Sequence, residues 1–336
     1  MRTDTPVRAD NSGPGRHPSD RPPDTPVRAD NRVVTEVEGR LLTLTNLGKL
    51  LYPEAGFTKA DLIDYYVRVA PVLLPHLQGR PVTFARFPDG VGGVSFFEKR
   101  VPRGAPDWLR AIDVPRSTRT DMPVIHAPAI GDVASLVWAA NLAALELHVP
   151  LWRSRRPAEY GPFDQMVFDL DPGAPATIVE CCAVAQTIAR VLAERGLAPA
   201  RAKTSGKKGL QLYVALEPER PWEPVREEAL EIARTVEREH PNLVVVKMRK
   251  DLRPGKVLID WSQNLPAKTT VAAYSLRALA RPSVSTPVTM EEVAACAAAG
   301  DPEMLRFGPA DVLERVARLG DLFSAHHSAR LAGSGP

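Results

Sequence analysis

"VFDLDPG", residues 167–173, sets two aspartates either side of one leucine and closes the run with proline and glycine. A strand alternates its faces, so Asp169 and Asp171 share one side while Phe168 and Leu170 take the other. Their Cα atoms then lie roughly 6–7 Å apart. Pro172 has no N–H for a ladder, which predicts the end of the strand there. Two like charges at this spacing repel unless something positive sits between them. Two divalent cations ~3.5–4 Å apart suit such a pair; the other reading is a turn with both acids in water. A third acid bears on the choice. In "KVLIDWSQN" (256–264), Asp260 ends a second apolar run. Taken alone it reads as a turn cap, but three aspartates at the ends of apolar strands is the usual arrangement of two-metal phosphoryl chemistry.

The rest of the chain sets bounds on that reading. With 336 residues, 44% hydrophobic and 25% charged, it has the composition of a globular protein with a large core. No apolar run reaches the ~18 residues of a membrane helix, and the first residues lack the apolar core of a signal peptide. The expected location is therefore the cytoplasm, without a membrane partner. Three cysteines, two of them adjacent (Cys181 and Cys182), fit neither a disulfide framework nor a zinc site. They read as buried packing residues. A net charge of +3 and a pI near 8.8 permit a polyanionic partner without requiring one.

The octapeptide "DTPVRADN" occurs at 4–11 and again at 24–31, separated by Pro, Gly, Ser, Asp and Arg. Such a segment has nothing to bury, so residues 1–32 read as a disordered tail. One catalytic domain is expected over 33–325, with a frayed end at 326–336. Thr58 with Asp61 three residues on predicts a capped helix through Leu62, Tyr65, Val69 and Leu73. "DVASLVWAANLAALELH" (132–148) reads as a buried helix ending near His148. Helices are also expected at 176–195, 224–239, 289–299 and 309–319. Strand-like runs are "PVTFARF", "VSFFEKR", "QMVFDLD", "LQLYVAL", "NLVVVKM" and "KVLIDWS". Mixed elements without strict βαβ alternation predict an α+β, two-lobed enzyme.

Between the acid strands lies "KTSGKKGLQLYV" (203–214). Ser205, Gly206 and Gly209 let the backbone curl so that N–H groups converge on an anion, and Lys207 and Lys208 add charge. The Walker A spacing is missing and a strand follows, so this is not a P-loop. In "FFEKR" (96–100), one phenylalanine is expected to face the core and the other to stack on a base, with Lys99 and Arg100 on backbone phosphates. Cations recur in "WRSRRP" (Arg153, Arg155, Arg156) and "KMRKDLRPGK" (Lys247, Arg249, Lys250, Arg253), which suggests a nucleic-acid track. His148 by default is a satisfied core histidine.

Taken together, "LTNLGKLLYPEAGFTKADLIDYY", "FFEKR", "LVWAANLAALELH", "VFDLDPG", "TSGKKGL", "VLIDWSQN" and "YSLRA" resemble the polymerase domain of bacterial ligase D. That domain belongs to the archaeo-eukaryotic primase superfamily and works in non-homologous end joining. The resemblance covers about residues 41–290, in order. It implies the primase-polymerase fold with mixed and antiparallel sheets. It also implies nucleotidyl transfer to a primer 3′-OH, usually with two manganese (or magnesium) ions and a preference for ribonucleotides. Asp169, Asp171 and Asp260 would be the catalytic metal ligands. Ser205, Lys207, Arg253 and Arg277 would grip the triphosphate, with Gln263 beside them and His148 on the ribose. Phe96 and Phe97 would meet the template, and Lys49 and Lys59 a 5′-phosphate across a gap or break. The departure is Gln211, where relatives usually carry histidine ("KGLH"). An amide donates to phosphate without charge, so weaker nucleotide binding is expected.

No K-x-D-G ligase nucleophile or phosphoesterase module is found, which makes a stand-alone polymerase the expectation, similar to actinobacterial primase-polymerases. The expected partners are gapped or broken DNA with a 5′-phosphate, NTP or dNTP, and Ku and a separate DNA ligase at the nucleoid. Two rival readings are a two-metal nuclease and a non-catalytic DNA-end binder. The first has no use for "TSGKKGL", and the second none for three intact acids. A chain starting near residue 33 should keep its melting temperature and primer extension. Loss of either would show that the repeat docks on the body.

Overall fold

The computed structural model describes residues 32–116 and 124–324. The expected tail and frayed end lie outside them, apart from Arg32. The observed architecture is α+β, with six α-helices among the described residues: α1 (Lys59–Leu77), α2 (Val133–Asn141), α3 (Ile178–Glu194), α4 (Trp222–Glu239), α5 (Met290–Ala299) and α6 (Pro309–Leu319). α1 begins as expected. Thr58 accepts from the Asp61 N–H and Asp61 returns the bond, while Leu62, Tyr65, Tyr66, Val69, Leu73 and Leu77 are buried along one face.

Two sheets position the site. The larger has six strands in the order Val244–Val245, Val257–Asp260, Phe163–Pro172, Leu210–Arg220, Arg201–Thr204 and Pro287–Val288, antiparallel except at the first pair. The smaller runs Thr270–Val271, Ala144–Val149, Thr83–Arg86, Phe96–Glu98 and is antiparallel throughout. α3 and α4 pack on the long Phe163–Pro172 strand, where Phe168 and Leu170 are fully buried. Each such side chain contributes roughly 1.5–3 kcal/mol. That burial offsets the cost of crowding acids on the other face. Cys181, Cys182 and Cys296 are free and buried in the same core. The last described residues are anchored too. Asp321 takes bonds from Tyr274 OH (2.8 Å) and His76 Nε2 (2.9 Å), and Phe323 lies under Arg201.

One expected element is wrong. The helix through 132–148 stops at Asn141, and Ala144–Val149 is a strand of the smaller sheet. Every residue of that strand is buried, so its alternation cannot be seen in the sequence. The break lies at Ala143, which turns at φ 57°. His148 therefore sits on a strand, not after a helix. The "FFEKR" expectation also needs correction. Phe96 and Phe97 are 43% and 64% exposed, so neither fills the core. Arg86 lies over the Phe96 ring instead.

Candidate active site

The register of the larger sheet assembles the site. Asp169 is opposed on one side by Asp260 and on the other by Gln211, and Gln211 in turn by Lys203. Directly opposed residues share a face. One row therefore crosses four strands as Lys203, Gln211, Asp169, Asp260, with Asp171 on the same face two residues along. The row is hydrogen-bonded. Gln211 Nε2 donates to Asp169 Oδ1 (3.0 Å), and Gln211 Oε1 accepts from Lys203 Nζ and from Tyr213 OH. Lys203 also donates to Ser285 Oγ (2.8 Å) and is almost wholly buried.

Asp260 is both a cap and a site acid. Its Oδ1 accepts from Ser262 N (3.0 Å) and Oγ (2.6 Å), and its Oδ2 from Gln263 Nε2 (2.9 Å). Gln263 thus faces the third acid, and Lys268 steadies Ser262 from behind (2.6 Å).

Electrostatics follow from crowding. Burial, then the charges of Asp171 and Asp260, push the Asp169 carboxyl up to about 7 against the bond from Gln211. Burial and Asp260 raise Asp171 as well, opposed by Lys208 and Arg253. Burial and the charge of Arg277 hold the Lys203 ammonium well below the ordinary lysine range, against the attraction of Asp169. The cluster thus offers hard oxygen donors with incomplete internal compensation, and this fits a divalent cation of the magnesium or manganese type. Among the described residues the carboxylates are not gathered into a ready-made cage of three ligands. Asp169 and Asp260 are turned to their hydrogen-bond partners.

The glycine loop differs from an open cradle. Ser205 Oγ accepts from the N–H groups of Gly209 (3.0 Å) and Lys207 (3.3 Å), so the hydroxyl already fills the curl. The two lysines part company. Lys208 donates to the Pro172 carbonyl (3.1 Å) beside Asp171, whereas Lys207 points to Glu146 of the smaller sheet (3.5 Å). Arg253 lies near Asp171 because Gly173 abuts its backbone, and its guanidinium donates to the Met248 carbonyl. Gly209 is pressed in a similar way, since a Cβ there would lie 2.2 Å from the Leu170 carbonyl. Gly209→Ala is expected to lose roughly 1–3 kcal/mol of stability as an overpacked site. Gly92→Ala, with nothing within 4 Å, should melt like the parent in the same calorimetric scan.

On the smaller sheet His148 Nε2 meets Glu146 Oε2 at 2.9 Å, and the exposed Phe97 ring meets His148 edge-on. Arg277 Nε stands 3.3 Å from Glu146 Oε1. At the rim, Lys49 pairs with Asp89 (2.7 Å) and Lys59, only 5% exposed, donates to the Thr45 carbonyl (2.6 Å). Burial, then the charges of Lys49 and Arg86, lower the Lys59 ammonium to about 8. Lys99 and Arg100 are exposed beyond Phe97. Not every basic loop is free for a ligand. Arg153 is spent on Asp164 and on the Gln78 and Pro75 carbonyls, and Arg155 pairs with Glu219. Sequence reasoning missed Lys203, Glu146 and the placement of Lys208. A hairpin register counted out from "SGKKG" puts Lys203 opposite Gln211, which was the available signal for the first.

Similarity to known proteins identifies the family. The model of the family described as LigD, primase-polymerase domain, matches residues 58–323. The chain is 41% identical over 287 residues to the multifunctional non-homologous end joining protein LigD of Mycolicibacterium smegmatis, covering 84% of this chain and 35% of that protein. Against the LigD of Mycobacterium tuberculosis it is 42% identical over 292 residues, covering 84% and 36%. It thus spans about a third of the length of these relatives. The polymerase domain of Mycobacterium tuberculosis ligase D, solved in complex with DNA, superposes with a TM-score of 0.77 at 40% identity, over 88% of this chain and 99% of that one. No helix among the described residues is long and apolar enough to cross a membrane. The chain belongs to the LigD primase-polymerase domain family.

Proposed function

We propose that this chain is a DNA-directed nucleotidyltransferase that extends a primer 3′-OH with ribo- or deoxyribonucleotides at gaps or breaks bearing a 5′-phosphate. Short-gap filling or end joining, alongside Ku and a separate ligase at the nucleoid, is the setting we assign to it. The observation that carries the reading is the opposed pair Asp169 and Asp260, with Asp171 on the same face and Lys208 and Arg253 beside it. Divalent cations held by these three carboxylates, two in the expected manganese or magnesium form, would supply charge for in-line attack on an α-phosphate. The chain's own groups do the rest. Lys207, Lys208, Arg253 and Arg277 offer cations to a triphosphate, with Ser205 and Gln263 at its borders. His148 faces the sugar. Phe96 and Phe97, exposed on the rim, stack on the template while Lys99 and Arg100 hold its backbone. The test is single-nucleotide addition to a gapped duplex with manganese or magnesium and each nucleotide in turn. No addition with any combination would overturn the reading.

End recognition is a separate claim on Lys49 and Lys59. A gapped duplex with a downstream 5′-phosphate should bind more tightly than its 5′-hydroxyl counterpart, and less so in added salt. Lys59 must be charged to contribute. The preference should therefore be full below pH 8 and fade as pH rises through the value at which its ammonium titrates, about 8. Asp89→Asn frees Lys49 from its ion pair and should strengthen the preference by a factor of roughly two to five, the scale of an exposed pair. Equal affinity for the two ends, read by fluorescence anisotropy, would remove the claim.

A further inference from the structure

Glu146 has no role in the scheme above, yet three of its basic residues meet there. This carboxylate is 3% exposed and lies at the centre of the Ala144–Val149 strand. Its Oε2 faces His148 Nε2 at 2.9 Å. Its Oε1 faces Arg277 Nε at 3.3 Å and Lys207 Nζ at 3.5 Å, and accepts the Ala278 N–H at 3.0 Å. Burial works against its charge. The bond from His148, the charge of Arg277 and the Ala278 N–H outweigh that and hold the carboxyl at about 2. It is an ionised acceptor at neutral pH.

Two consequences follow for the partners. An ionised carboxylate can only accept, so the His148 nitrogen facing it must carry the proton. Burial disfavours the imidazolium at His148, first among the causes lowering its titration. The ring is then a neutral Nε2–H tautomer whose Nδ1 lone pair is left to accept from a hydroxyl. Arg277 is steered in the same way. Glu146 attracts its Nε edge while its stem lies against Gly206, where a Cβ would stand 2.5 Å from Arg277 Cγ. The planar guanidinium then presents its terminal nitrogens as a fork, the geometry suited to phosphate. Lys207 is held most loosely. Its side chain is 42% exposed, so a triphosphate can draw it away, while His148 keeps its hydrogen bond and Arg277, 11% exposed, keeps its buried ion pair.

We propose that Glu146 is a positioning residue of the nucleotide pocket, fixing the tautomer of His148 toward the sugar and the guanidinium of Arg277 toward the phosphates. The inference rests on the polymerase reading, but one of its readouts needs no catalysis. Long-range nitrogen–proton NMR on histidine-labelled protein distinguishes protonated from lone-pair ring nitrogens, and loss of the signal in His148→Gln assigns it. The parent chain should show His148 as the Nε2–H tautomer. In Glu146→Gln, whose amide can donate or accept, the two tautomers should mix. The same variant should raise the Kd of a nonhydrolysable nucleoside triphosphate, and the nucleotide KM, by about tenfold, the order of one charge-assisted hydrogen bond. Manganese half-saturation and gapped-DNA affinity should not move. A parent His148 found as the Nδ1–H tautomer or as imidazolium overturns the proposal, and this arm survives even if Glu146→Gln fails to fold. An unchanged or lowered Kd in a folded Glu146→Gln also overturns it, because the carboxylate would then merely compete with the triphosphate. A parent that shows the expected tautomer and binds nucleotide without adding it would sink the polymerase reading and leave this one standing.

Discussion

Asp169→Asn and Asp260→Ala should end nucleotide addition to a gapped primer while leaving affinity for the gapped duplex within about twofold, since on the proposed reading DNA would be held mainly through phosphate contacts elsewhere. Asp169→Asn should also melt higher than the parent in metal-free buffer at pH 8. The second effect comes from the cost of keeping that carboxylate charged. Burial and two neighbouring aspartates raise its carboxyl from an ordinary 3.8 to about 7 in the folded chain. Between those values the native state binds the proton that the unfolded chain has released, so stability falls as pH rises through the window. The full cost is present above pH 7. Asparagine keeps the shape without the charge, so its advantage should be smallest near pH 4, grow through pH 7 and stay level beyond. A gain of a few degrees is expected for a chain of this size. Added manganese should raise the melting point of the parent and narrow the gap, because cations stabilise the state that binds them. A variant that melts lower at pH 8, or still extends a primer in manganese, would show that these acids form neither a strained cluster nor a metal site.

The acids were legible because strand alternation is local. "VFDLDPG" places Asp169 and Asp171 on one face from sequence alone, and the apolar "KVLID" run announces a second acid-ended strand. That Asp260 stands directly opposite Asp169 was not legible, since it depends on the register of strands far apart in sequence. The stretch 142–149 was hidden differently. Burial on both faces removes the polar alternation that marks a strand, and only the positive φ of Ala143 separates it from α2. Glu146 was lost with it, because a carboxylate on a supposed helix two residues before a histidine suggests no contact. Lys207 and Lys208 were read as one charged unit. In the folded hairpin, adjacent residues diverge, one to the acids and one across to the smaller sheet. One of Phe96 and Phe97 was expected inside because strands usually bury one face, but this three-residue strand forms the rim of its sheet.

Gln211→Leu should weaken manganese binding by about 10- to 100-fold, the usual effect of removing a group that orients a metal ligand, with little change in nucleotide KM at saturating metal. Oriented by Lys203 at its oxygen, the Gln211 amide turns its NH₂ to Asp169 Oδ1 and fixes that carboxylate. Leucine ends both contacts, although Lys203 keeps Ser285 as an acceptor. Calorimetric titration with manganese reads the loss directly, without turnover. Histidine, the residue that the resemblance implies at this position, makes the sharper comparison. A neutral imidazole can accept from Lys203 at one nitrogen and donate to Asp169 with the other, so Gln211→His should match the parent at pH 8. Protonation near ~6.5 makes both nitrogens donors. One of them would then face the Lys203 ammonium, so the variant should lose activity relative to the parent at the same pH as pH falls. The sequence alone suggested a different partner, a phosphate that the uncharged Gln211 amide would hold more weakly than histidine. If Gln211→His lowers the nucleotide KM at pH 6.5 and leaves manganese binding unchanged, the side chain has left Lys203 for the nucleotide. The Lys203–Gln211–Asp169 row would then have no bearing on how the metal is held.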